Sequence, residues 1–341
     1  MLFDLTEDQA DFRAVVRTFL SQKMTPALLR SIWNKNGTEP SRLWESLAEM
    51  GILGLVVPDQ YGGADASHVE LALALEQAAY FGLPEPLLET AAVAAPLLVE
   101  FAPEDVCQRW LPRIVSGEAV VTVSLDGTGI AVHGARADAV IVARGTELHL
   151  VRAGILPWKP MKSQDPTRQL AIAGFDSLGG DTVFSSEPGA VQRALTLASS
   201  ATAISLVGLS QRLLDMTLTY VLEREQFGQV IGSFQVLKHR LADIAVALEA
   251  ARGLSWYSAY ALSNETENAT RAARTAKAAA GSAAGLANSG SLQLHGGIGF
   301  TWEHDLHLWL KKGRALEAAY GNASDHRVAI ARALITELTP V

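Results

Sequence analysis

Residues 224–244, "REQFGQVIGSFQVLKHRLADI", decide the fold, because they join two long helical patterns through a glycine-containing corner. Gly228 and Gly232 interrupt the helical pattern. The guanidinium of Arg224 beside backbone-exposing glycines suits a phosphate or pyrophosphate group. The ring of Phe227 can cover a flat ligand ring. Taken alone, the same pattern also describes an ordinary helix–loop–helix corner with a surface arginine.

The chain on either side of this corner divides into three predicted parts. Residues 1–117 carry apolar side chains at helical spacing and predict an N-terminal helical domain. Residues 118–188 hold short β-branched runs separated by Gly, Asp and Pro, which predict a small antiparallel β domain. Residues 189–341 return to long, Ala-rich helical patterns and predict a C-terminal bundle. The expected fold is therefore mainly α with a small β domain.

Composition limits the classes of function. The chain has 341 residues, 49% of them hydrophobic and 19% charged, with a net charge of -8. Basic residues are scattered, so we expect no nucleic-acid partner. The single cysteine, Cys107, excludes an internal disulfide and is expected to be a buried small residue rather than a nucleophile. The acidic start and the lack of 18 uninterrupted apolar residues predict a cytoplasmic protein without signal peptide or membrane span.

A second glycine-rich stretch, "LQLHGGIGF", covers residues 292–300. Gly296 and Gly297 let a ligand approach the backbone, and the Gln293 amide can hydrogen-bond a base edge or a phosphate. A dinucleotide fingerprint needs a preceding strand and a following helix. Here a helix precedes the glycines and a loop follows, which argues against the Rossmann interpretation and leaves a plain helix C-cap as the alternative.

The two stretches together, about seventy residues apart, resemble the acyl-CoA dehydrogenase family. "RWLPRIVSGE" at 109–118 and "GILGLVVPDQYGG" at 51–63 are similar to that family's N-terminal helical domain. The resemblance covers nearly the whole chain. It implies an N-terminal helical domain, a β domain, a C-terminal four-helix bundle and usually a tetramer.

The resemblance also implies a reaction and a cofactor. The family removes the α-proton of an acyl-CoA thioester and passes the β-hydride to FAD. Its Arg–x–x–Phe corner and Gln–x–x–Gly–Gly turn reach across a subunit interface to the pyrophosphate and adenine end of a neighbour's FAD. By this match, the expected FAD contacts are Arg224, Gln226, Phe227, Gln293, Gly296 and Gly297.

The predicted β domain departs from the family. The flavin ring and thioester are usually gripped there by Thr-Glu-Pro, Gly-Ser-Asp and an Ile-Thr-Asn strand. Residues 121–134 read "VTVSLDGTGIAVHG" instead, and the predicted domain is short. We infer that the chain does not hold a flavin ring by itself in the family's manner.

The family's catalytic base is missing as well. The common form ends a late helix with Glu-Gly-Thr-Ser, whereas residues 316–324 read "LEAAYGNAS" and place Tyr320 in the base position. A phenol has a pKa near 10 and does not replace a carboxylate as a base at neutral pH. Other members carry the glutamate on an earlier helix, at the position of Ala198. We therefore predict no catalytic residue in this chain.

Other ionisable residues were weighed as substitutes. Glu317, one turn before Tyr320, is the strongest alternative base, ahead of two weaker ones, Asp325 and Glu223. His304 and His307 share a helix face without a further ligand, so no metal is expected. For His295, beside the glycines, packing is preferred over a contact with flavin or a carbonyl.

The favoured interpretation is a non-catalytic subunit that completes the FAD site of a catalytic homologue in an α2β2 heterotetramer. By resemblance, such pairs act on bulky steroid side-chain CoA thioesters in actinobacteria, with the acyl-CoA bound mainly by the partner. Two alternatives remain: a self-sufficient FAD dehydrogenase with a relocated base such as Glu317, and a flavin-free scaffold or binding homologue. The acyl chain, the partner and the electron acceptor are not specified by the sequence.

Overall fold

A computed structural model describes residues 4–35, 42–174, 182–264 and 266–339. Within the predicted β domain, the runs "LAIAGF" (170–175) and "DTVF" (181–184) predict strands, and one end of each, Phe175 and Asp181, lies outside these ranges. The described chain is mainly helical with a small β region between two helical parts, so the predicted fold class is confirmed.

The N-terminal part is a set of short helices around one apolar core. Its core contains Leu20, Leu47, Leu53, Leu97 and Leu111, all at most 1% exposed. The helices are α1 (Glu7–Lys23), α2 (Pro26–Asn34), α3 (Leu43–Glu49), α4 (His68–Tyr80), a π-helical segment (Leu88–Ala94), α5 (Ala95–Phe101) and α6 (Glu104–Val115).

The β part forms two small sheets. The larger has the order β1-β3-β4-β7 and the smaller the order β2-β6-β5. β1 pairs with β3 in parallel, Val121 opposite Ala139, so the larger sheet is mixed and the purely antiparallel prediction was wrong in this respect. The bounds are β1 (Val121–Ser124), β2 (Ile130–Ala131), β3 (Ala139–Arg144), β4 (Glu147–Arg152), β5 (Lys159–Pro160), β6 (Ala171–Ile172) and β7 (Thr182–Ser185).

The parallel pair arises because the chain leaves β1, passes through β2 and returns beside β1 as β3. A parallel connection of this kind needs about a dozen residues or more. The loop from Ser124 to Ala139 supplies them, and its Gly129 lies so close to the Ala173 carbonyl that a Cβ there would be 2.3 Å from the oxygen.

The C-terminal part is a helical bundle, and the predicted helical stretches there are confirmed. Three long helices pack together, with two shorter ones against them and a minimal hairpin at the corner between the first two. The elements are α7 (Ala190–Glu223), β8 (Glu225–Gln226), β9 (Gln229–Val230), α8 (Gln235–Ser263), α9 (Ala269–His295), α10 (Leu306–Glu317) and α11 (Ala323–Leu338).

Helix α7 is the centre of the molecule and packs directly on α4. At Gly208 a Cβ would lie 2.1 Å from the Glu76 carbonyl oxygen, so only glycine permits this approach. Buried hydroxyls of α7 donate to carbonyls one turn earlier, as Thr202 does to Ala198 at 2.6 Å and Ser210 to Leu206 at 2.7 Å. The helix can therefore carry polar residues inside an apolar bundle.

By length and composition alone α7 could also cross a membrane. In this fold, 89% of its most apolar window is buried inside the protein. It is the core helix of the bundle here, which explains its composition without a membrane.

Candidate functional site

The corner after α7 is a two-residue hairpin that presents an aromatic ring outward. β8 pairs with β9, and both residues of the turn have positive φ, 55° at Phe227 and 79° at Gly228. This is the turn that suits a short hairpin, but a bulky residue in it is uncommon. The Phe227 side chain is 91% exposed and meets Phe234 edge-on at 6.2 Å between ring centroids. The chain itself offers little packing reason for a phenylalanine here.

The second glycine stretch ends α9 with a backbone that only glycine adopts readily. Gly296 has φ 62° and ψ -141°, and Gln293 one turn earlier is exposed. A Cβ at Gly297 would meet no heavy atom within 4 Å, and this residue has no positive φ. Neither packing nor backbone conformation within the chain therefore requires a glycine at position 297, whereas close approach of a ligand to the backbone does.

The structure brings these two stretches to the same end of the bundle. The rings of Tyr220 and His295 stack at 4.4 Å with an interplanar angle of 18°. The Tyr220 carbonyl accepts from the Arg224 backbone N–H at 2.9 Å at the end of α7, so the corner begins one helical turn after the ring that stacks on His295. The corner and the glycine turn therefore lie at the same end of the bundle.

The side chains at this end fit the far end of a dinucleotide. Arg224 and Gln226 are exposed, and Arg224 forms no ion pair with any residue that the structure describes. A free guanidinium, exposed side-chain amides and an accessible glycine backbone suit the binding of a pyrophosphate group. Exposed aromatic rings suit stacking on a nucleotide base or another flat ligand ring. Phe300 and Trp302, 75% and 61% exposed, enlarge the aromatic surface next to the glycine turn.

Tyr320 lies in a turn whose main-chain carbonyl groups are held by buried side chains from other helices. Lys277, which is fully buried, donates to the carbonyls of Glu317 and Gly321 at 2.7 Å each. His326 bonds the Tyr320 carbonyl at 3.0 Å, and Tyr320 itself has φ 55°. The turn is therefore fixed independently of the side chain at position 320.

The phenol of Tyr320 meets a buried carboxyl group rather than solvent. The Tyr320 hydroxyl lies beside Glu89, and burial together with that carboxylate raises the pKa of Tyr320 well above its ordinary value. The phenol is thus neutral throughout the physiological range. Ala198, predicted from the sequence to take the other base position, is fully buried and offers only a methyl group.

The alternative bases weighed from the sequence have structural roles. The Glu317 carboxylate accepts from the Ala323 backbone N–H at 3.4 Å, at the start of α11. Asp325 accepts from the Asn322 N–H at 2.9 Å and completes a capping box. Glu223 is the exposed last residue of α7.

A cavity of about 100 Å³ lies where the three parts of the chain meet. Glu89, at the start of the π-helical segment, forms part of its wall and is 5% exposed. Burial raises the pKa of Glu89, while the charge of Arg168 and the Tyr320 phenol oppose that shift. π-Helical segments are frequent at functional sites. The cavity therefore holds a carboxyl group with a raised pKa next to Tyr320, the residue predicted from the sequence to take the family's base position.

The β part supplies the opposite wall of the cavity. Lys312 of α10 donates to Asp165 at 3.3 Å and to Thr167 at 2.5 Å, and Arg168 donates to the Ala315 carbonyl at 3.0 Å. His133 is 2% exposed. Burial, then the charges of nearby cations, lower the pKa of His133 to about 3, so the imidazole is neutral.

Glu89, His133 and Arg168 are not among the residues predicted from the sequence. A signal existed for Glu89, because a lone carboxylate inside the apolar run 87–98, "LLETAAVAAPLL", is a buried charge that needs a reason. His133 and Arg168 carried no comparable signal. They reach the cavity only through the path of the β part, which the sequence pattern does not specify.

The remaining candidates occupy structural positions. His307 bonds the His304 carbonyl at 2.9 Å and meets the Trp302 ring edge-on at 4.5 Å. Cys107 is buried and its thiol lies 3.2 Å from the Leu98 carbonyl. Among the described residues, no group of three or more His, Cys, Asp or Glu is arranged to hold a metal ion.

Comparison with protein families gives two matches along the chain. Residues 6–118 match the model described as "Acyl-CoA dehydrogenase, N-terminal domain", and residues 189–335 match "Acyl-CoA dehydrogenase, C-terminal domain". Among characterised proteins, the acyl-CoA dehydrogenase IpdE2 of Mycobacterium tuberculosis is 33% identical over 307 residues, covering 90% of this chain and 91% of that protein. The same-named protein of Mycolicibacterium smegmatis is 31% identical over 310 residues, covering 90% and 93%.

Two solved structures share the fold of this chain along nearly its whole length. The ChsE4–ChsE5 complex from Mycobacterium tuberculosis matches with a TM-score of 0.88 and 25% identity, covering 100% of both chains. A variant of the Tcur3481–Tcur3483 steroid ACAD matches with a TM-score of 0.87 and 26% identity, covering 97% of this chain and 99% of that one.

Proposed function

The chain belongs to the acyl-CoA dehydrogenase family, and from that premise we propose that it is a non-catalytic subunit which completes the FAD site of a catalytic partner. The single observation that carries the proposal is the buried, neutral phenol of Tyr320, at the position where the family resemblance predicts the carboxylate base. The proposed substrate is an acyl-CoA thioester with a bulky steroid-derived acyl group, bound mainly by the partner.

Two relatives support a heteromeric assembly. One solved structure is of the ChsE4–ChsE5 complex, and the other is of the Tcur3481–Tcur3483 steroid ACAD, whose name joins two components. The described surface of this chain also supports subunit contact. Large apolar side chains at the same bundle are strongly exposed, among them Leu222 at 65%, Val236 at 68% and Val246 at 70%. Patches of this kind mark interfaces. We propose an α2β2 heterotetramer in the cytoplasm.

We propose that this chain contacts FAD at the pyrophosphate and adenine end of the cofactor. FAD supplies the acceptor for the substrate's β-hydride when it is bound. In this chain the Arg224 guanidinium would neutralise pyrophosphate charge, and Gln226 and Gln293 would orient neighbouring polar groups. Phe227 would cover an aromatic face, and Gly296 and Gly297 would let the backbone approach the cofactor.

The contacts within the β part support the proposal that this chain has no site of the family's usual kind for the flavin ring. Within residues 121–134, the Thr122 hydroxyl donates to the Val132 carbonyl at 2.6 Å, and Asp126 accepts from the backbone N–H and hydroxyl of Thr128. Trp158 packs so closely on Gly134 that a Cβ there would lie 2.7 Å from the ring. These groups serve the chain's own fold, so we propose that the ring and the base are on the partner.

Glu89 favours one rival, a self-sufficient dehydrogenase with a relocated carboxylate. It replaces Glu317 in that role, because Glu317 interacts with the start of α11 while Glu89 faces the cavity. The yellow colour of bound flavin in the purified protein distinguishes these functions. A yellow protein when purified alone supports the rival, and yellow only with a partner supports the proposal. A protein that never carries flavin supports a scaffold.

Co-expression with its partner, light scattering and released-flavin absorbance test the proposal. We expect a 2:2 complex with two FAD and little or no FAD on this chain alone. A stable homotetramer with four flavins that oxidises an acyl-CoA unaided would overturn it.

Arg224→Ala tests the cofactor contact itself. Loss of a charge-assisted hydrogen bond costs about 1.5–3 kcal/mol, so the FAD dissociation constant of the complex should rise about 10- to 150-fold with an unchanged circular dichroism spectrum. Arg332→Ala, at an exposed arginine of α11, is the matched control and should leave FAD affinity unchanged. Equal affinity in both variants would return Arg224 to the role of a surface residue.

A further inference from the structure

We propose that residues 296–304 form a pH-sensitive segment, closed near neutral pH and opened by acid, because His295 and His304 must both be uncharged to hold it. We call this segment the aromatic turn, since it carries the exposed rings of Phe300 and Trp302. The proposal concerns a conformational change within this chain and needs neither flavin nor a partner. It therefore goes beyond the proposed function and is tested separately from it.

His295 holds the start of the aromatic turn as a neutral ring. Its Nδ1 lies 2.8 Å from the Ser291 carbonyl, which only accepts, so Nδ1 carries the proton. Its Nε2 is buried and has no hydrogen-bond partner among the residues that the structure describes. The ring is packed between Tyr220, stacked at 4.4 Å, and His304, edge-on at 4.8 Å. A proton added to Nε2 would be a buried donor without an acceptor, and opening of the turn would supply water to it.

His304 holds the end of the aromatic turn through the opposite tautomer. Its Nδ1 accepts from the Leu306 N–H at 3.1 Å, at the first residue of α10. Protonation of His304 removes this acceptor from a helix N-terminus, where backbone N–H groups need partners. It also places a positive charge at the positive end of the helix dipole. Both effects favour release of the turn from α10.

The carboxylates near the turn leave little to balance a new positive charge. Asp305 follows His304 in the chain and is already paired with Arg30 of α2. Arg30 also donates to the carbonyls of Trp302 and Glu303 at 2.8 and 2.9 Å, while the Glu303 side chain is exposed. A cation therefore faces the turn from α2, and its charge is the one that the nearby carboxylate balances.

His307 and Lys311 surround the turn from the side of α10. His307 Nδ1 donates to the His304 carbonyl at 2.9 Å, and its ring meets Trp302 edge-on at 4.5 Å. The Lys311 amine lies 4.0 Å from the centroid of the Trp302 ring. A charged histidine in the turn would therefore join two cations that are already there.

The direction of the pH effect follows from these contacts. Burial is the largest cause that lowers the pKa of His295, His304 and His307 below the ordinary value of 6.5. Arg30 lowers the pKa of His304 and His307 further, and the attraction of Asp305 opposes the shift at both. Below pH 6.5 the open turn thus binds more protons than the closed turn, so acid favours opening.

Hydrogen–deuterium exchange of residues 296–308 measures the opening directly. The full-length protein, with any subunits that copurify, is compared between pH 7.5 and 5.0, with rates corrected for the intrinsic pH dependence of amide exchange. Each histidine kept neutral by the closed turn favours opening by up to about tenfold per pH unit below 6.5. We expect protection to fall about tenfold or more between pH 6.5 and 5.0, while residues 270–285 within α9 keep theirs.

A double variant identifies the titrating groups. His304→Asn keeps an oxygen that accepts from the N–H two residues on, as in an Asx turn, but does not titrate in this range. His295→Phe keeps a flat ring against Tyr220 and cannot be protonated. The double variant should lose most of the pH dependence, whereas His239→Asn, at an exposed histidine of α8, is the matched control and should follow the wild type. The readout is the pH profile, because each substitution also removes a neutral contact.

Two results would overturn the proposal: wild-type protection that does not change with pH, and an equal fall in the double variant. Should the double variant not fold, the imidazole resonances of ¹³C-histidine-labelled wild type decide. Titration of His295 and His304 below pH 6.5, together with the loss of protection, supports the proposal. Titration of both at 6.5 or above contradicts it.

Discussion

Replacement of Lys277 by methionine should change how the stability of the protein depends on pH. Lys277 is fully buried, and its amine donates to the carbonyls of Glu317 and Gly321. Burial lowers the pKa of Lys277 from its ordinary value near 10.5 to about 8, against the attraction of Glu317 and Asp325. Arg168 acts in the same direction as burial.

The direction of this pH dependence follows from the number of protons that the folded and the unfolded chain bind. Below pH 8 the amine is protonated in both the folded and the unfolded chain, and the full cost of burying its charge is present. Between about pH 8 and 10.5 the unfolded chain binds more protons, so the free energy of unfolding rises with pH. A shift of about 2.5 units corresponds to about 3 kcal/mol over that interval. The neutral amine still has two N–H groups for its two carbonyls.

Urea unfolding at pH 7.5, 8.5 and 9.5 measures this dependence. Within that range the wild type should gain about 2 kcal/mol, and Lys277→Met should lose most of the gain. Lys238→Met, at an exposed lysine of α8, is the matched control and should keep it. If Lys277→Met and wild type show the same slope, the buried amine is not the titrating group and the reasoning is wrong.

Three further outcomes are expected. Tyr320→Phe should leave the activity of the assembled complex within a few-fold, and a hundredfold loss, the range of a general base, would contradict the assignment. Because the pKa of His133 is lowered to about 3, stability should fall by about 3–5 kcal/mol as the pH drops from 6.5 towards 3, and His133→Asn should flatten that fall in an acid titration followed by circular dichroism. Gly208→Ala should cost about 3 kcal/mol or more in urea, since its Cβ would strike the Glu76 carbonyl, whereas Gly253→Ala in open space of α8 should stabilise by up to about 1 kcal/mol; similar effects at both glycines would contradict the packing argument.

The sequence was sufficient for the fold class and for the order of helices and sheet. Helical periodicity is a local property, and the long Ala-rich stretches carry it over many turns. The corner at Arg224 and the turn at Gly296 were also predictable, because glycines that interrupt a helical pattern and an arginine beside them are easily recognised in a sequence. They meet through the packing of α7 on α9, which ends in the stacking of Tyr220 on His295, and that contact has no sequence signature.

The cavity could not have been predicted in the same way. Glu89, His133 and Lys312 come from three separate parts of the chain and meet only after α4, α7 and the sheets have packed. The parallel pairing of β1 with β3 was missed for a related reason. Short β-branched runs indicate strands but do not say which neighbours they choose or in which direction.

The turn at residue 320 has an evolutionary consequence. Its shape is set by Lys277 and His326 acting on main-chain carbonyls, which every amino acid possesses. Selection can therefore exchange the side chain at this position, from acid to phenol or back, without rebuilding the architecture around it. A protein with such a turn can lose a chemical step and keep its place in an assembly, which is a route by which a gene copy of an enzyme becomes a dedicated companion to the original.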